Sequence, residues 1–202
     1  AARSQALVNF LIPIVKGWNT EQANEITSLA MQIHGGMGYI EETGVAQYCR
    51  DARITSIYEG TTGIQALDLI GRKTASEDGV TARWLLEEVK VTAGKLVAAG
   101  YASLAANLEA AAKDAERCVA FILETFGSRP QLAAAGSVPF LKLMGIVLGG
   151  WMMGRAALIA RAQQGEDGAD AEFLAAKIVT ARFYGEHLLP QTGGLAAAIV
   201  HG

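Results

Sequence analysis

The sequence is short of the features that mark several common chemistries. It holds only two cysteines, Cys49 and Cys118, far apart and without paired spacing. This excludes a disulfide framework and a cysteine metal knuckle, and a reduced, cytoplasmic setting is expected. There is no excess of basic charge: the net charge is −3, against the basic face that nucleic-acid binding needs. Charged residues are few, 18% against 51% hydrophobic, so the chain is globular rather than disordered. Alternating β-branched runs bounded by turns are almost absent, which leaves an all-α fold. Long apolar runs are also missing. The longest, Leu143 to Gly154, is closed by Lys142 and Arg155 and falls short of the roughly 20 residues of a membrane span. No membrane partner is expected, and the glycines in that run (Gly145, Gly149, Gly150 and Gly154) predict a buried helix closely approached by another. A signal peptide and an initiator Met are lacking too. Ala1-Ala2-Arg3-Ser4-Gln5 reads as the inside of a helix, so a piece of a longer protein is expected.

What is present is helical periodicity. A first helix is predicted up to about Lys16, with Pro13 near its end and Gly17-Trp18-Asn19 as the break. Asn19 is then an N-cap with Gln22 as its capping-box partner. A second helix, with Ala23, Ile26, Leu29, Ala30 and Ile33 on its apolar face, stops at Gly35-Gly36. A Gly-rich turn runs to Tyr39, and a short helix spans Glu42 or Thr43 to about Ala52. An irregular stretch, Arg53 to Glu59, leads to Gly60-Thr61-Thr62-Gly63. A further helix carries Ile64, Leu67 and Ile70 to Gly71. The polar segment from Arg72 to Gly79 reads as a boundary. Beyond it, helical patterns at about 80–99, 103–126, 138–164 and 170–189 make an antiparallel bundle with short links. The end, Gly193 to Gly202, is expected to be loose. His187 stands near a helix end without partner ligands and suits the helix dipole.

Two segments are candidates for chemistry. In Gln32-Ile33-His34-Gly35-Gly36, a helix ends in two glycines, which either cap it or let a ligand approach the backbone. It is no dinucleotide fingerprint, because Gly36-Met37-Gly38 lacks the third glycine and follows a helix. In Ile57-Tyr58-Glu59-Gly60-Thr61-Thr62, a carboxylate precedes a helix. It is either stabilised by the helix N-terminus or a base tuned by partial burial, and its own residues leave both open. Arg50-Asp51 reads as a pair that fixes the loop presenting Glu59. Glu41-Glu42 reads as a solvated first turn rather than a paired-carboxylate site.

Taken together, these pieces resemble the acyl-CoA dehydrogenases. The resemblance rests on Gln32 through Tyr39, then Arg50-Asp51-Ala52-Arg53-Ile54, then Ile57 through Thr61, in matching order and spacing. The form Tyr58-Glu59-Gly60-Thr61-Thr62-Gly63-Ile64-Gln65-Ala66 is most similar to the subgroup of 3-methylmercaptopropionyl-CoA dehydrogenases. The resemblance implies a C-terminal helical domain (residues 1–73, incomplete) followed by an extra helical domain (80–202). It implies FAD as cofactor, an acyl-CoA substrate, electron-transfer flavoprotein as acceptor, and a homodimer or higher homo-oligomer. By the same resemblance, Glu59 is the base that removes the α-proton while hydride leaves the β-carbon, and Gly60 passes close to the substrate. Thr61, Thr62 and Gly63 touch FAD, with Gly63 departing from members that carry Gln there. Gln32, Ile33, His34, Gly35 and Gly36 reach the FAD of a neighbouring subunit. The rest of the flavin and acyl pockets is expected outside this chain, so the isolated piece is expected to be inactive. Two other readings are a DNA-binding relative of the alkylation-response flavoprotein, disfavoured by the net charge, and a non-catalytic oligomerisation module, disfavoured by Glu59.

Overall fold

Ala2–Ile33 form one helix, α1, where the sequence predicts two. The structure, a computed structural model, describes residues 2–202, so Ala1 of the expected opening helix lies outside the described residues. The expected break fails at Gly17. A Cβ there would stand 2.7 Å from Cδ1 of Leu141, so this glycine marks a close approach to a neighbouring helix, not a stop. Asn19 and Gln22 accordingly lie inside a helix, and Asn19 caps nothing. The helix also continues through buried Pro13, which costs one backbone hydrogen bond to the preceding turn.

α1 does end where the glycine pair predicts. A 3₁₀ turn, Gly35–Gly38, follows, and Gly38 folds back so tightly that a Cβ would lie 2.2 Å from the Met31 carbonyl oxygen. After a second 3₁₀ turn, Glu41–Thr43, come α2 (Val45–Thr55) and α3 (Thr62–Asp68). α3 runs on as a π-helical segment, Leu69–Ala75, in which Leu69, Ile70, Gly71 and Thr74 are all buried. The wider turn lets consecutive residues face the core, and the Thr74 hydroxyl donates to the Leu69 carbonyl at 2.8 Å.

The expected later helices are present as α4 (Val80–Ala98), α5 (Ala102–Phe126), α7 (Ser137–Gln163) and α8 (Ala171–His187). Two more were not foreseen. α6 (Pro130–Ala135) begins on Pro130, whose fixed φ suits a first helical turn. α9 (Thr192–His201) occupies the end expected to be loose. Thr192, Ala196 and Ile199 recur at helical spacing and are buried, packing against α5 and α7; this burial outweighs the cost of Gly193-Gly194.

α7 is the central element. By length and composition it could cross a membrane, with a mean hydropathy of 1.6 over its most apolar window. Most of its apolar side chains are buried against α1, α3, α4, α5, α8 and α9 instead. Its glycines are sockets. A Cβ at Gly145 would sit 2.4 Å from Cγ of Trp18, at Gly149 2.3 Å from Oη of Tyr184, and at Gly150 2.5 Å from Cδ2 of Leu189. The expected close approach is thus of large side chains into glycine gaps. One buried core joins Phe10 and Ile14 of α1 and Ala66 of α3 to residues of α4, α5, α7 and α9.

Candidate active site

The loop from Ser56 to Thr61 is presented by α1. Three polar residues on one side of that helix hold it. Near the loop's start, the Asn24 amide donates to the Thr20 carbonyl at 2.7 Å and to the Ala52 carbonyl at 3.4 Å, and reaches the buried Ser56 hydroxyl at 3.5 Å. At its end, the Thr62 hydroxyl donates to the Glu21 carboxylate. Between them, the half-buried Lys16 ammonium donates to the Gly60 carbonyl at 2.6 Å.

Glu59 stands at the crest of this loop with φ 54, and Gly60 follows with φ 94. Two successive left-handed residues turn the chain sharply, and for Glu59 that conformation costs about 1–2 kcal/mol. Strain of this kind persists where surrounding contacts over-determine it. Here the Gln65 amide donates to the Glu59 carbonyl at 3.2 Å while Lys16 holds the next carbonyl. The Glu59 side chain is exposed in this chain. The partial burial that would tune a base is therefore absent here, and any dry surrounding must come from a substrate or from protein outside these residues.

Thr61 is the N-cap of α3, yet its side chain caps nothing. The first-turn amides of α3 are left to other partners, and a Cβ at Gly63 would meet only open space. This arrangement fits the edge of an electron-rich cofactor. The cleft beside Thr62 does not suit the cofactor's phosphates. It measures about 560 Å³ and its lining includes Glu21, Glu25 and Lys142, so carboxylates outnumber the cation.

Glu59, Gly60, Thr61, Thr62 and Gly63 thus form one contiguous candidate segment. Gln32, Ile33, His34, Gly35 and Gly36 form another, exposed at the far end of α1. Thr62 binds Glu21, eleven residues before Gln32, so about 16 Å of helix separates the two segments. A Cβ at Gly35 or Gly36 would meet nothing within 4 Å, which leaves the backbone open to a ligand. His34 sits in the turn with its side chain exposed, as a turn residue does.

Some readings need correction. Arg50 does not pair with Asp51. Its guanidinium grips Glu41 with two bonds of 2.8 and 2.9 Å, and that bond raises the Arg50 pKa. Glu41 is therefore paired rather than merely solvated, and the pair ties the 3₁₀ turn to α2 instead of fixing the Glu59 loop. Lys16, Glu21, Asn24 and Gln65 were missed. Lys16, Thr20 and Asn24 recur every four residues, a polar stripe on one helix face, and the expected break at Gly17 hid it. His187 ends α8 as expected and stacks on Phe183 at 4.5 Å. Cys49 and Cys118 are both free, and no cluster of potential metal ligands occurs among the described residues.

Comparison with known proteins bears on the same segments. The family description "Acyl-CoA dehydrogenase, C-terminal domain" matches residues 2–74, and "Acetyl-CoA dehydrogenase C-terminal like" matches residues 85–202. The chain is 50% identical over 194 residues to 3-methylmercaptopropionyl-CoA dehydrogenase of Ruegeria pomeroyi, covering 93% of this chain and 32% of that protein. It is 32% identical over 195 residues to a broad-specificity linear acyl-CoA dehydrogenase of Mycobacterium tuberculosis, covering 90% of this chain and 31% of the relative. A mitochondrial short-chain specific acyl-CoA dehydrogenase of Bos taurus is 56% identical over 52 residues, which is 26% of this chain and 13% of that protein. The chain spans about a third of the length of the longer matches. Its two matched segments, all-helical fold and extended identity place it in the acyl-CoA dehydrogenase family, as a C-terminal helical region.

Proposed function

We propose that this chain is the part of a flavin-dependent acyl-CoA dehydrogenase that carries the base, and that the base is Glu59. The observation that carries the reading is the Glu59-Gly60 turn, whose two carbonyls are clamped by side chains from α1 and α3, within the segment matched by the acyl-CoA dehydrogenase family. A family member needs a carboxylate held at a fixed angle to the α-carbon of a thioester. Asp78-Gly79 adopts the same left-handed turn before α4, so strain alone does not mark a base; at Glu59 its own and the next carbonyl are both held by side chains, and this supports that role.

The reaction converts an acyl-CoA into its 2,3-enoyl-CoA. The Glu59 carboxylate takes the α-proton, and the α C–H electron pair becomes the second bond between the α- and β-carbons. FAD, when bound, supplies the acceptor for the hydride that leaves the β-carbon. The α-proton of a thioester is too weakly acidic for a carboxylate in water, so the nascent enolate needs hydrogen-bond donors at its oxygen. The Glu59 N–H is suited to that role. Closure of substrate over the exposed side chain would dry it and raise its basicity.

Thr61, Thr62 and Gly63 would meet the cofactor through the α3 amides. By the likeness to the family, Gln32 to Gly36 would meet the cofactor of a second subunit; about 16 Å of α1 lies between them and Thr62. This favours a homodimer or larger assembly. Electron-transfer flavoprotein is proposed as the physiological acceptor and the cytoplasm as the location.

The test uses the whole protein with butyryl-CoA and 3-methylmercaptopropionyl-CoA and an artificial electron acceptor. Glu59→Gln is expected to keep its flavin and lose at least about 10³-fold in kcat, as removal of an essential proton acceptor does. Turnover near that of the unmodified protein would remove Glu59 from the role.

A further inference from the structure

We propose that Lys16 is a positioning residue for the base: its ammonium holds the Gly60 carbonyl and so fixes the direction in which Glu59 points. The inference rests on the reading of Glu59 as the base. It starts from a contact between residues 44 positions apart, Lys16 Nζ to Gly60 O at 2.6 Å. A charge-assisted bond of that length to a backbone carbonyl is among the stronger hydrogen bonds a loop can make.

The location of the bond matters more than its strength. Rotation about the Glu59 and Gly60 backbone would redirect the bond from which the carboxylate side chain projects, because both residues occupy the left-handed region and could relax out of it. Each following peptide has one side-chain clamp. Gln65 holds the Glu59 carbonyl from α3, and Lys16 holds the Gly60 carbonyl from α1. The Gln65 bond is long and exposed, whereas Lys16 is half-buried on a long helix whose Phe10, Ile14 and Gly17 are in the core. Lys16 therefore ties the strained turn to a helix anchored in the core. The bond also polarises the Gly60–Thr61 peptide, whose N–H starts the helix proposed to meet the cofactor.

The other clamps cannot replace it. Asn24 acts near the start of the loop and Glu21 acts beyond it, at Thr62. Neither touches the two residues with positive φ. A misplacement of about 1 Å at a reacting group can cost about 10²-fold in rate.

The test compares Lys16→Met, Lys16→Arg and Glu59→Gln in the whole protein, with butyryl-CoA as probe. Flavin content, melting temperature, kcat and KM are measured for each. Lys16→Met is expected to retain flavin and lose about 10- to 100-fold in kcat, with KM within about threefold. Lys16→Arg, which keeps a charged donor, is expected to recover most of that loss. A Lys16→Met enzyme within about twofold of normal kcat overturns the proposal, as does a loss that Arg does not restore. If Lys16→Met loses flavin or fails to fold, Lys16→Gln is judged by the same criteria. Should every neutral replacement unfold the protein, Lys16 is a structural residue and the proposal fails. Glu59→Gln separates the two claims. An active Glu59→Gln removes the base reading, whereas an inactive one beside a normal Lys16→Met removes only the role of Lys16.

Discussion

Glu59 is the residue on which the account turns, and its backbone says more than its side chain. An exposed glutamate would ordinarily be free to relax, yet it sits at φ 54 with its own and the next carbonyl both held. The sequence shows the carboxylate and the adjoining glycine. The positive φ at Glu59 is not legible in it, because nothing in the residue type demands that conformation. The clamps are also hidden, since Lys16 and Gly60 meet only through the packing of α1. Other residues matter chiefly through burial. The Cys118 thiol and the Tyr184 hydroxyl, which donates to the Ile146 carbonyl at 3.1 Å, are both pushed up to about 12 by burial. Their ordinary values are 9.0 and 10.0, so the unfolded chain releases these protons first. The stability held by the neutral groups is full below pH 9.0 and is lost as pH rises toward about 12. Urea midpoints measured between about pH 8 and about pH 11 should therefore fall, and fall less steeply in Cys118→Ala. An equal slope in both proteins contradicts this assignment.

At the scale of elements, glycine is the residue most easily misread. Gly17 and Gly193-Gly194 suggested a break and a loose end, yet all three lie inside helices. A glycine needed for a turn and a glycine needed as a socket look alike in sequence, and only the neighbouring side chain tells them apart. Where the neighbour is a chain reversal, as at Gly35-Gly36, the reading held. The same holds for α4, α5, α7 and α8, whose apolar repeats are long enough to outweigh local punctuation. Gly145 and Gly94 make the contrast measurable. Gly145→Ala drives a methyl to 2.4 Å from Cγ of Trp18 and should cost about 1–3 kcal/mol. Gly94→Ala, on α4 with nothing within 4 Å, should stabilise by about 0.5–1 kcal/mol. Denaturant melts of the two variants check both signs, and a destabilised Gly94→Ala would contradict the packing described.

At the scale of the molecule, the candidate segments lie largely exposed on the surface. α1 shows Ile26, Leu29 and Ile33 to solvent at 61%, 49% and 86% exposure, and Tyr39, Tyr48 and Tyr58 are also exposed around the candidate segments. A soluble surface seldom carries so many large apolar groups together without a covering partner. The two relatives matched over most of this chain are about three times as long as it, which agrees with a site whose other walls come from further protein. The order of motifs in the sequence was enough to reach the family. The strained turn and its attachment to α1 needed coordinates. The most direct test of the central claim isolates the proton step from the redox step. The whole protein is incubated in D₂O with 3-thiabutyryl-CoA, a thioether analogue that cannot readily give up hydride, and deuterium at the α-carbon is followed by NMR. Rapid exchange is expected in the unmodified protein, with a loss of at least about 10²-fold in flavin-replete Glu59→Gln. Undiminished exchange in that variant would contradict the role of Glu59 as the base.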